Sequence, residues 1–182
     1  EYSYFCPVSE EGGFNPMLGG GLKTCLRDYI NFLSMIANNG LFEGKQILSA
    51  NAVHEIESDQ IKSAYVQQPE YVLKSRQNSH TSIYGLGAWR EEVDEQGNAT
   101  LISSPGWAGT YPWVDRKNNV YGFLLAKANV GKTNAEGFSP FYSSPVLPLI
   151  IRDAIKEQNY PRELKKGKVD IGSTQLYYEE LG

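Results

Sequence analysis

The residues that could support nucleophilic chemistry in this 182-residue chain do not make a complete catalytic pair. An acylating serine needs a base, and a lysine three residues later on a helix can take its proton. The sequence contains no Ser-x-x-Lys; Ser58 and Lys62 are separated by one residue too many. Two histidines, His54 and His80, are too few for a metal site, so we expect neither metal nor cofactor. A glycine-containing turn, 105–109, remains as a source of backbone N–H donors.

The segment around that turn predicts an antiparallel meander. Three apolar runs within Tyr84–Lys127 are separated by polar stretches at 96–98 and 116–119, and the turn lies between the second and third runs. Pro112 does not suit an interior strand of this meander, because proline has no N–H to donate to a neighbouring strand. We therefore expect either a bulge at Pro112 or a different strand order.

Hydrophobic spacing predicts three helices around the meander. Thr24 is the expected N-cap of the first, and residues 38–40 its stop signal. Ser49 caps a second helix over about 50–60, and a third covers 143–158, starting later if Pro148 must lie in its first turn. The expected apolar faces are Leu22, Leu26, Tyr29, Leu33 and Ile36 on the first helix, and Leu147, Ile150, Ile151, Ala154 and Ile155 on the third. The predicted fold class is α+β, an antiparallel sheet with helices packed on it.

Two stretches of the chain resemble the serine β-lactamase / penicillin-binding-protein family, in its class C and esterase branch. Residues 15–60 contain a glycine-rich turn before a helix with an Asp-Tyr pair, and then a G-x-x-I-L-S turn into the next helix. Residues 84–127 keep the family's order of a strand, a turn, a strand ending in an Asp-containing loop, and an apolar strand. The resemblance is to the C-terminal part of that family. It implies a β-lactamase/transpeptidase-like fold and a nucleophile upstream of the region present here.

The resemblance also implies site residues. A Lys-Thr-Gly or His-Ser-Gly triplet borders the family's catalytic serine, and Ser104-Pro105-Gly106 takes its place here. The residue after the triplet supplies an oxyanion-hole N–H, a role that falls on Trp107, while Ser104 and Gly106 would border the substrate. The Trp107 ring would lie at the mouth of the cleft; the alternative is an exposed turn aromatic. Tyr29-Ile30-Asn31 matches the family's Tyr-x-Asn in letters but lies mid-helix, so we reject it as the base.

The altered triplet narrows the function that the resemblance implies. A cation is missing at Ser104 and a backbone N–H at Pro105, which argues against β-lactamase or transpeptidase action. The expected parent protein is a serine hydrolase that cleaves a small-molecule ester, amide or peptide through an acyl-enzyme, with this segment inactive alone. The alternative is a non-catalytic, degenerate hydrolase scaffold that acts as a binding or interaction module. The third possibility is that the resemblance is accidental and that the chain is a small, complete α+β domain.

The C-terminal residues are predicted to form a segment separate from the hydrolase domain. We expect residues 1–158 to be the C-terminal part of the hydrolase domain, and 159–182 to be a linker and a terminal hairpin. Strand-like runs flank Gly172-Ser173, a hairpin signal. Lys165–Gly182 resembles the opening hairpin of an α/β-hydrolase, which implies the start of a second domain. The alternative is a hairpin that pairs with this domain's own sheet.

The last apolar run, Val120–Lys127, is predicted to be a buried strand with an open edge. We expect the chain either to form a homodimer through this edge or to cover it with residues 168–178.

Composition excludes some partners and leaves others open. The net charge is −4 without a basic stripe, which argues against nucleic acid, and no apolar run approaches the ~20 residues of a membrane span. Cys6 and Cys25 are either two unpaired thiols or one bridge. The chain opens on Glu1, so we expect a segment upstream that carries any targeting signal. The compartment is unknown; the resemblance implies the periplasm or secretion, and the cytoplasm stays open.

Overall fold

The computed structural model describes residues 24–67, 79–137, 139–157, 165–171 and 174–180. Its helices are α1 (Leu26–Ala37), α2 (Ala50–Glu57), α3 (Val130–Ala135), α4 (Pro140–Ser143) and α5 (Leu147–Glu157), with a 3-10 turn at Ser144–Val146. Its strands are β1 (Leu41–Phe42), β2 (Lys45–Gln46), β3 (Trp89–Val93), β4 (Ala99–Ser103), β5 (Tyr111–Asp115), β6 (Val120–Leu124), β7 (Lys165–Ile171) and β8 (Thr174–Glu180). None of the described helices combines the length and the hydrophobicity of a membrane-spanning segment.

Strands β3 to β6 form one antiparallel sheet in the order β3-β4-β5-β6. This order confirms the predicted meander and, with the helices, the α+β class. The sheet has four strands, not three, because the turn at 105–109 separates β4 from β5.

Pro112 lies in β5, which has a neighbour on each side. The registers of β5 with β4 and β6 run without a shift, so neither a bulge nor a different strand order occurs. β4 ends at Ser103, and just beyond it the Ser104 N–H donates to the Pro112 carbonyl at 3.2 Å. The missing N–H of Pro112 therefore costs the ladder one bond at its very end, where β4 is leaving the sheet.

Helices α1 and α2 cover one face of the sheet through an apolar core. Its buried residues are Leu33, Met35, Ile36, Val53, Ala88, Ile102 and Val114. Burying a large aliphatic side chain stabilises a fold by about 1.5–3 kcal/mol, so this cluster is a major apolar support of the sheet. Tyr29 of α1 also stacks on Phe123 of β6, with 4.3 Å between ring centroids. The packing of Tyr29 on the sheet agrees with its rejection as a catalytic base.

The structure confirms the predicted end of α1 but not its predicted N-cap. Thr24 is not the N-cap; Cys25 holds that position without a side-chain cap bond, and the Thr24 hydroxyl donates to the Cys25 carbonyl. The stop signal is confirmed, because Asn39 and Gly40 adopt φ values of 54° and 87°. Such left-handed residues end helices and favour glycine.

Helix α2 has the predicted cap and a buried end. The Ser49 hydroxyl accepts from the Ala52 N–H at 3.1 Å. The helix ends at Glu57, three residues earlier than expected. The Glu57 carboxylate accepts from Arg116 at 2.6 and 2.9 Å, and the same guanidinium donates to the Ala37 carbonyl at 2.8 Å. Arg116 thus joins the ends of α1 and α2 to the turn between β5 and β6.

Helix α5 packs on the opposite face of the sheet. A second buried cluster there consists of Leu101, Tyr111 and Trp113, with Leu124 and Ile151 partly buried against it. The helix begins at Leu147 with Pro148 in its first turn, as the late-start prediction allowed. The predicted apolar face is wrong in part, because Ile150 and Ile155 are 56% and 44% exposed. In place of these residues, charged side chains hold α5 against the sheet.

The terminal strands form their own sheet. β7 and β8 pair antiparallel from Lys165↔Glu180 to Ile171↔Thr174, which confirms the predicted hairpin. The prediction that residues 168–178 cover the β6 edge is wrong, since these strands pair with each other and not with the four-stranded sheet. In the described part of the chain, β5 is the strand partner of β6. The domain boundary at 158/159 and the homodimer stay predictions.

Candidate functional site

The turn between β4 and β5 is a tight three-residue hairpin loop. The Gly106 N–H donates to the Thr110 carbonyl at 2.6 Å, and the Gly109 N–H donates to the Gly106 carbonyl at 2.9 Å. Gly109 has φ of 95°. This is the pattern of a type I turn followed by a left-handed residue, a common way to close a hairpin. Glycine suits position 109 because a side chain there would strain the backbone.

Three further hydrogen bonds clamp this loop to the rest of the molecule. The Thr110 hydroxyl donates to the Ala126 carbonyl at 2.8 Å. The Ala128 N–H donates to the Ala108 carbonyl at 3.0 Å. The buried Ser144 hydroxyl donates to the Gly109 carbonyl at 3.1 Å. The loop is therefore anchored both to the segment after β6 and to the 3-10 turn before α5.

Trp107 occupies the first corner of the turn. Its backbone N–H makes no hydrogen bond to any residue that the structure describes. Its side chain is 60% exposed and leans on the buried Phe141, with 5.1 Å between ring centroids. The turn thus leaves the Trp107 amide available as a donor at an anchored corner, beside a largely exposed aromatic ring.

The other two predicted site residues lie in the same hairpin. Ser104 is exposed, and its N–H is used by the Pro112 carbonyl. Gly106 is half-buried, and a Cβ at this position would lie 3.3 Å from the Thr110 Cβ. The fold thus brings Ser104, Gly106 and Trp107 together, while their roles remain predictions.

A buried carboxyl group lies at the base of the hairpin. Glu91 of β3 is 1% exposed. Its Oε1 accepts hydrogen bonds from the hydroxyl of Ser103, at the end of β4, and from that of Tyr111, at the start of β5, the latter at 2.7 Å. Burial raises the pKa of Glu91 to about 7, against the lowering effect of the two hydroxyls. Burial and the neighbouring Glu91 also raise the pKa of the Tyr111 phenol.

Charged pairs extend this network to α5. Arg152 donates to Asp115 of β5 and, at 2.7 Å, to Glu92 of β3. The Asp115 side chain is 2% exposed and that of Arg152 12%. Burial alone would lower the pKa of Arg152, but the bonds to Glu92 and Asp115 raise it. Because burying unpaired charges is costly, this ion-paired group fixes the position of α5 on the sheet.

Sequence reasoning did not single out Glu91, Arg152 or their partners. The available signal was the run Trp89-Arg90-Glu91-Glu92-Val93, three charged residues inside a predicted strand. Arg90 and Glu91 are both buried, and buried charges are rare unless paired. Charges at such strand positions would have indicated a polar network between the sheet and a helix.

The described residues contain no group of three His, Cys, Asp or Glu side chains placed to hold a metal ion. Cys25 is exposed, and Cys6 lies outside the described residues, so the choice between thiols and a bridge stays open.

A solved structure titled "Crystal structure of putative beta-lactamase from Bacteroides dorei DSM 17855" is similar to this chain. The sequences are 50% identical, and the structures superpose with a TM-score of 0.71. The match covers 82% of this chain but 45% of the other, so this chain spans less than half the length of that protein. Neither a protein-family model nor a curated protein matches the sequence. The fold is therefore β-lactamase-like, as the resemblance implied.

Proposed function

We propose that this chain, which has a β-lactamase-like fold, is the C-terminal part of a serine hydrolase of the class C and esterase branch. The hydrolase would cleave an ester or amide bond of a small molecule or peptide through an acyl-enzyme. The observation that carries this proposal is the clamped hairpin at 106–110, with the unused amide of Trp107 at its corner. The proposal is also supported by the 50% sequence identity to the Bacteroides dorei protein, which is described as a "putative beta-lactamase".

The proposed nucleophile lies on a segment of the parent protein, the longer polypeptide that would contain this chain. Two facts support this placement. The sequence contains no Ser-x-x-Lys, and the match covers 45% of the related structure, which leaves more than half of it without a counterpart here. We therefore expect the serine and its lysine base on the parent's other segment, and no acylation of this chain alone.

The proposed role of Trp107 is to stabilise the tetrahedral intermediate. As the serine oxygen attacks the carbonyl carbon, the carbonyl oxygen becomes an anion that needs fixed donors. The Trp107 N–H would be one donor and the serine's own N–H the other. One such donor stabilises the transition state by about 3 kcal/mol when it is held rigidly. The clamps from Thr110, Ala128 and Ser144 supply that rigidity.

In the same proposal, Ser104 and Gly106 border the substrate. Ser104 is exposed at the position where the family carries a cation. An uncharged hydroxyl cannot pair with a substrate carboxylate as a cation does, so we propose neutral esters and amides over carboxylate-bearing β-lactams.

Labelling with a fluorophosphonate tests the proposal. The reagent phosphonylates activated serines, and intact mass reports one adduct per active site. We expect no adduct on this chain and one adduct on the parent protein, mapped by peptide sequencing to a Ser-x-x-Lys serine. An adduct on a serine of this chain would overturn the placement of the site.

The altered triplet supports a second candidate, a non-catalytic scaffold that binds other molecules. Pro105 and Ser104 both differ from the residues that the family uses at this place. A folded parent protein that carries an intact Ser-x-x-Lys and still takes no label would favour this candidate over the hydrolase.

A further inference from the structure

The base of the hairpin contains a polar group that the proposed reaction does not use. The two strands that enter and leave the hairpin each place a hydroxyl on the same oxygen, Oε1 of Glu91. Ser103 directly precedes the triplet position Ser104, and Tyr111 directly follows Thr110. Glu91 therefore joins β4 and β5 at the point where the loop begins and ends.

We infer that Glu91 is a positioning residue: its carboxylate holds β4 and β5 together beneath the hairpin and so fixes the direction of the Trp107 amide. The catalytic meaning of this inference rests on the proposed function, whereas its geometry does not. Glu91 acts through Ser103 and Tyr111.

The physical reason lies in the strength and depth of these bonds. Hydrogen bonds to an ionised acceptor are about twice as strong as neutral ones, and a side chain that is 1% exposed does not exchange them with water. When the carboxylate takes up a proton, it can accept less strongly from the two hydroxyls. The hairpin then loses part of the link between its two strands. The ionised form thus makes the stronger link between the strands, at the cost of burying a charge.

The surroundings of Glu91 determine when it ionises. Burial disfavours the charge and raises the pKa of Glu91 to about 7, while the hydroxyls of Ser103 and Tyr111 act in the opposite direction. Glu92 on the same strand raises this pKa, and Arg152 on α5 lowers it. Arg152 is in turn held in an ion pair with Asp115 on β5. The two hydroxyl bonds to Glu91 should therefore change as pH passes through neutrality, while the buried charge costs the folded chain stability above this pKa.

The first test uses this chain and does not require a nucleophile. Amide chemical shifts of Gly106 and Trp107 are followed by ¹H–¹⁵N NMR from pH 5 to 8.5. We expect both amides to titrate with a midpoint near 7. Glu91→Gln keeps the shape of the side chain and should abolish the titration. Glu95→Gln, which removes an exposed carboxylate from the turn after β3, is the control and should retain it.

A second variant guards against a Glu91→Gln chain that does not fold. Ser103→Ala removes one donor to the carboxylate, so the midpoint of the Trp107 titration should move to higher pH. The inference is overturned if the wild-type amides show no inflection near neutrality, if the inflection persists in Glu91→Gln, or if Ser103→Ala leaves the midpoint unchanged.

The third test uses the parent protein and separates the two proposals. Glu91→Gln should lower kcat by about 10- to 100-fold with little change in KM, since a displaced donor weakens transition-state binding more than substrate binding. If the parent protein is not labelled by the fluorophosphonate, the proposed function is contradicted, but the NMR evidence for the link through Glu91 is not affected. A labelled parent whose kcat does not respond to Glu91→Gln would end the positioning role alone.

Discussion

Helices α1 and α2 are held on one face of the sheet mainly by apolar side chains, whereas α5 is held on the other face by charges as well. On the first face, Leu33, Val53 and Val114 belong to a continuous buried cluster, and its ion pair, Glu57–Arg116, lies at the ends of the helices. On the second face, the pairs of Arg152 with Asp115 and Glu92 lie between helix and sheet.

This difference has a functional side. The hairpin with the Trp107 amide is rooted in the charged face, through Ser103 and Tyr111 on Glu91 and through Ser144 next to α5. Polar contacts have directions and preferred lengths, whereas apolar packing tolerates small displacements. The charged face is therefore the one that can fix an amide donor precisely, at the cost of sensitivity to pH and to the loss of a partner.

The largest expected effect comes from breaking the ion pairs of the charged face. Arg152→Ala leaves the buried Asp115 without its cationic partner, so we expect a loss of about 3–5 kcal/mol in the free energy of unfolding. Urea titration followed by tryptophan fluorescence measures it. The control is Lys156→Ala on the same helix, whose pair with Asp153 is exposed, with an expected loss of about 0.5 kcal/mol or less. Equal losses in the two variants would contradict the account of this face.

The second effect is the pH dependence of stability. The pKa of Glu91 is raised from an ordinary value of 4.5 to about 7 in the folded chain. Between these values the folded chain binds more protons than the unfolded chain, so the free energy of unfolding falls as pH rises. Glu91 contributes at most about 3–4 kcal/mol to this fall.

The difference between wild type and Glu91→Gln, measured by urea titration at several pH values, isolates that contribution. It should change mainly between pH 4.5 and 7 and become flat above about pH 8. A difference that is constant across the whole range would show that Glu91 titrates normally.

A smaller effect is expected on the apolar face. Ile36→Val removes one buried methylene from the core and should cost about 1 kcal/mol. This loss should be the same at pH 5 and pH 8 and at low and high salt, since no charge is involved. If thermal unfolding shows that the stability loss of Ile36→Val depends on salt or pH, the proposed difference between the two faces is contradicted.

The smallest effect concerns the edge of the sheet. We propose that the β6 edge, 120–124, lets this chain form a weak homodimer, because β6 has no strand on its outer side in the described part of the chain and unpaired edges favour pairing. Sedimentation velocity should show concentration-dependent association. Val120→Lys, a charge at the edge, should reduce it. A monomer at all concentrations would remove this proposal.

The contrast between the faces also explains what the sequence could predict. The meander, the α2 cap at Ser49 and the stop at Asn39-Gly40 follow from local rules, since each depends on neighbours in the chain. The same holds for the G-W-A-G-T hairpin, whose residues bring Ser104, Gly106 and Trp107 together.

The charged network could not be predicted in this way. Glu91 contacts residues 12 and 20 positions away, and Arg152 reaches across 37 positions to Asp115. Hydrophobic spacing likewise placed Ile150 and Ile155 in a core, because periodicity shows which helical residues share a face but not what covers it.

The most direct test of the central claim compares two variants of the parent protein that both lack the indole ring. Trp107→Ala keeps the backbone N–H, and Trp107→Pro removes it. Proline suits the first corner of a type I turn, so both hairpins should close. If the Trp107 amide stabilises the oxyanion, kcat of the proline variant should fall about 10²- to 10³-fold below that of the alanine variant. Equal kcat values in two folded variants would contradict the account.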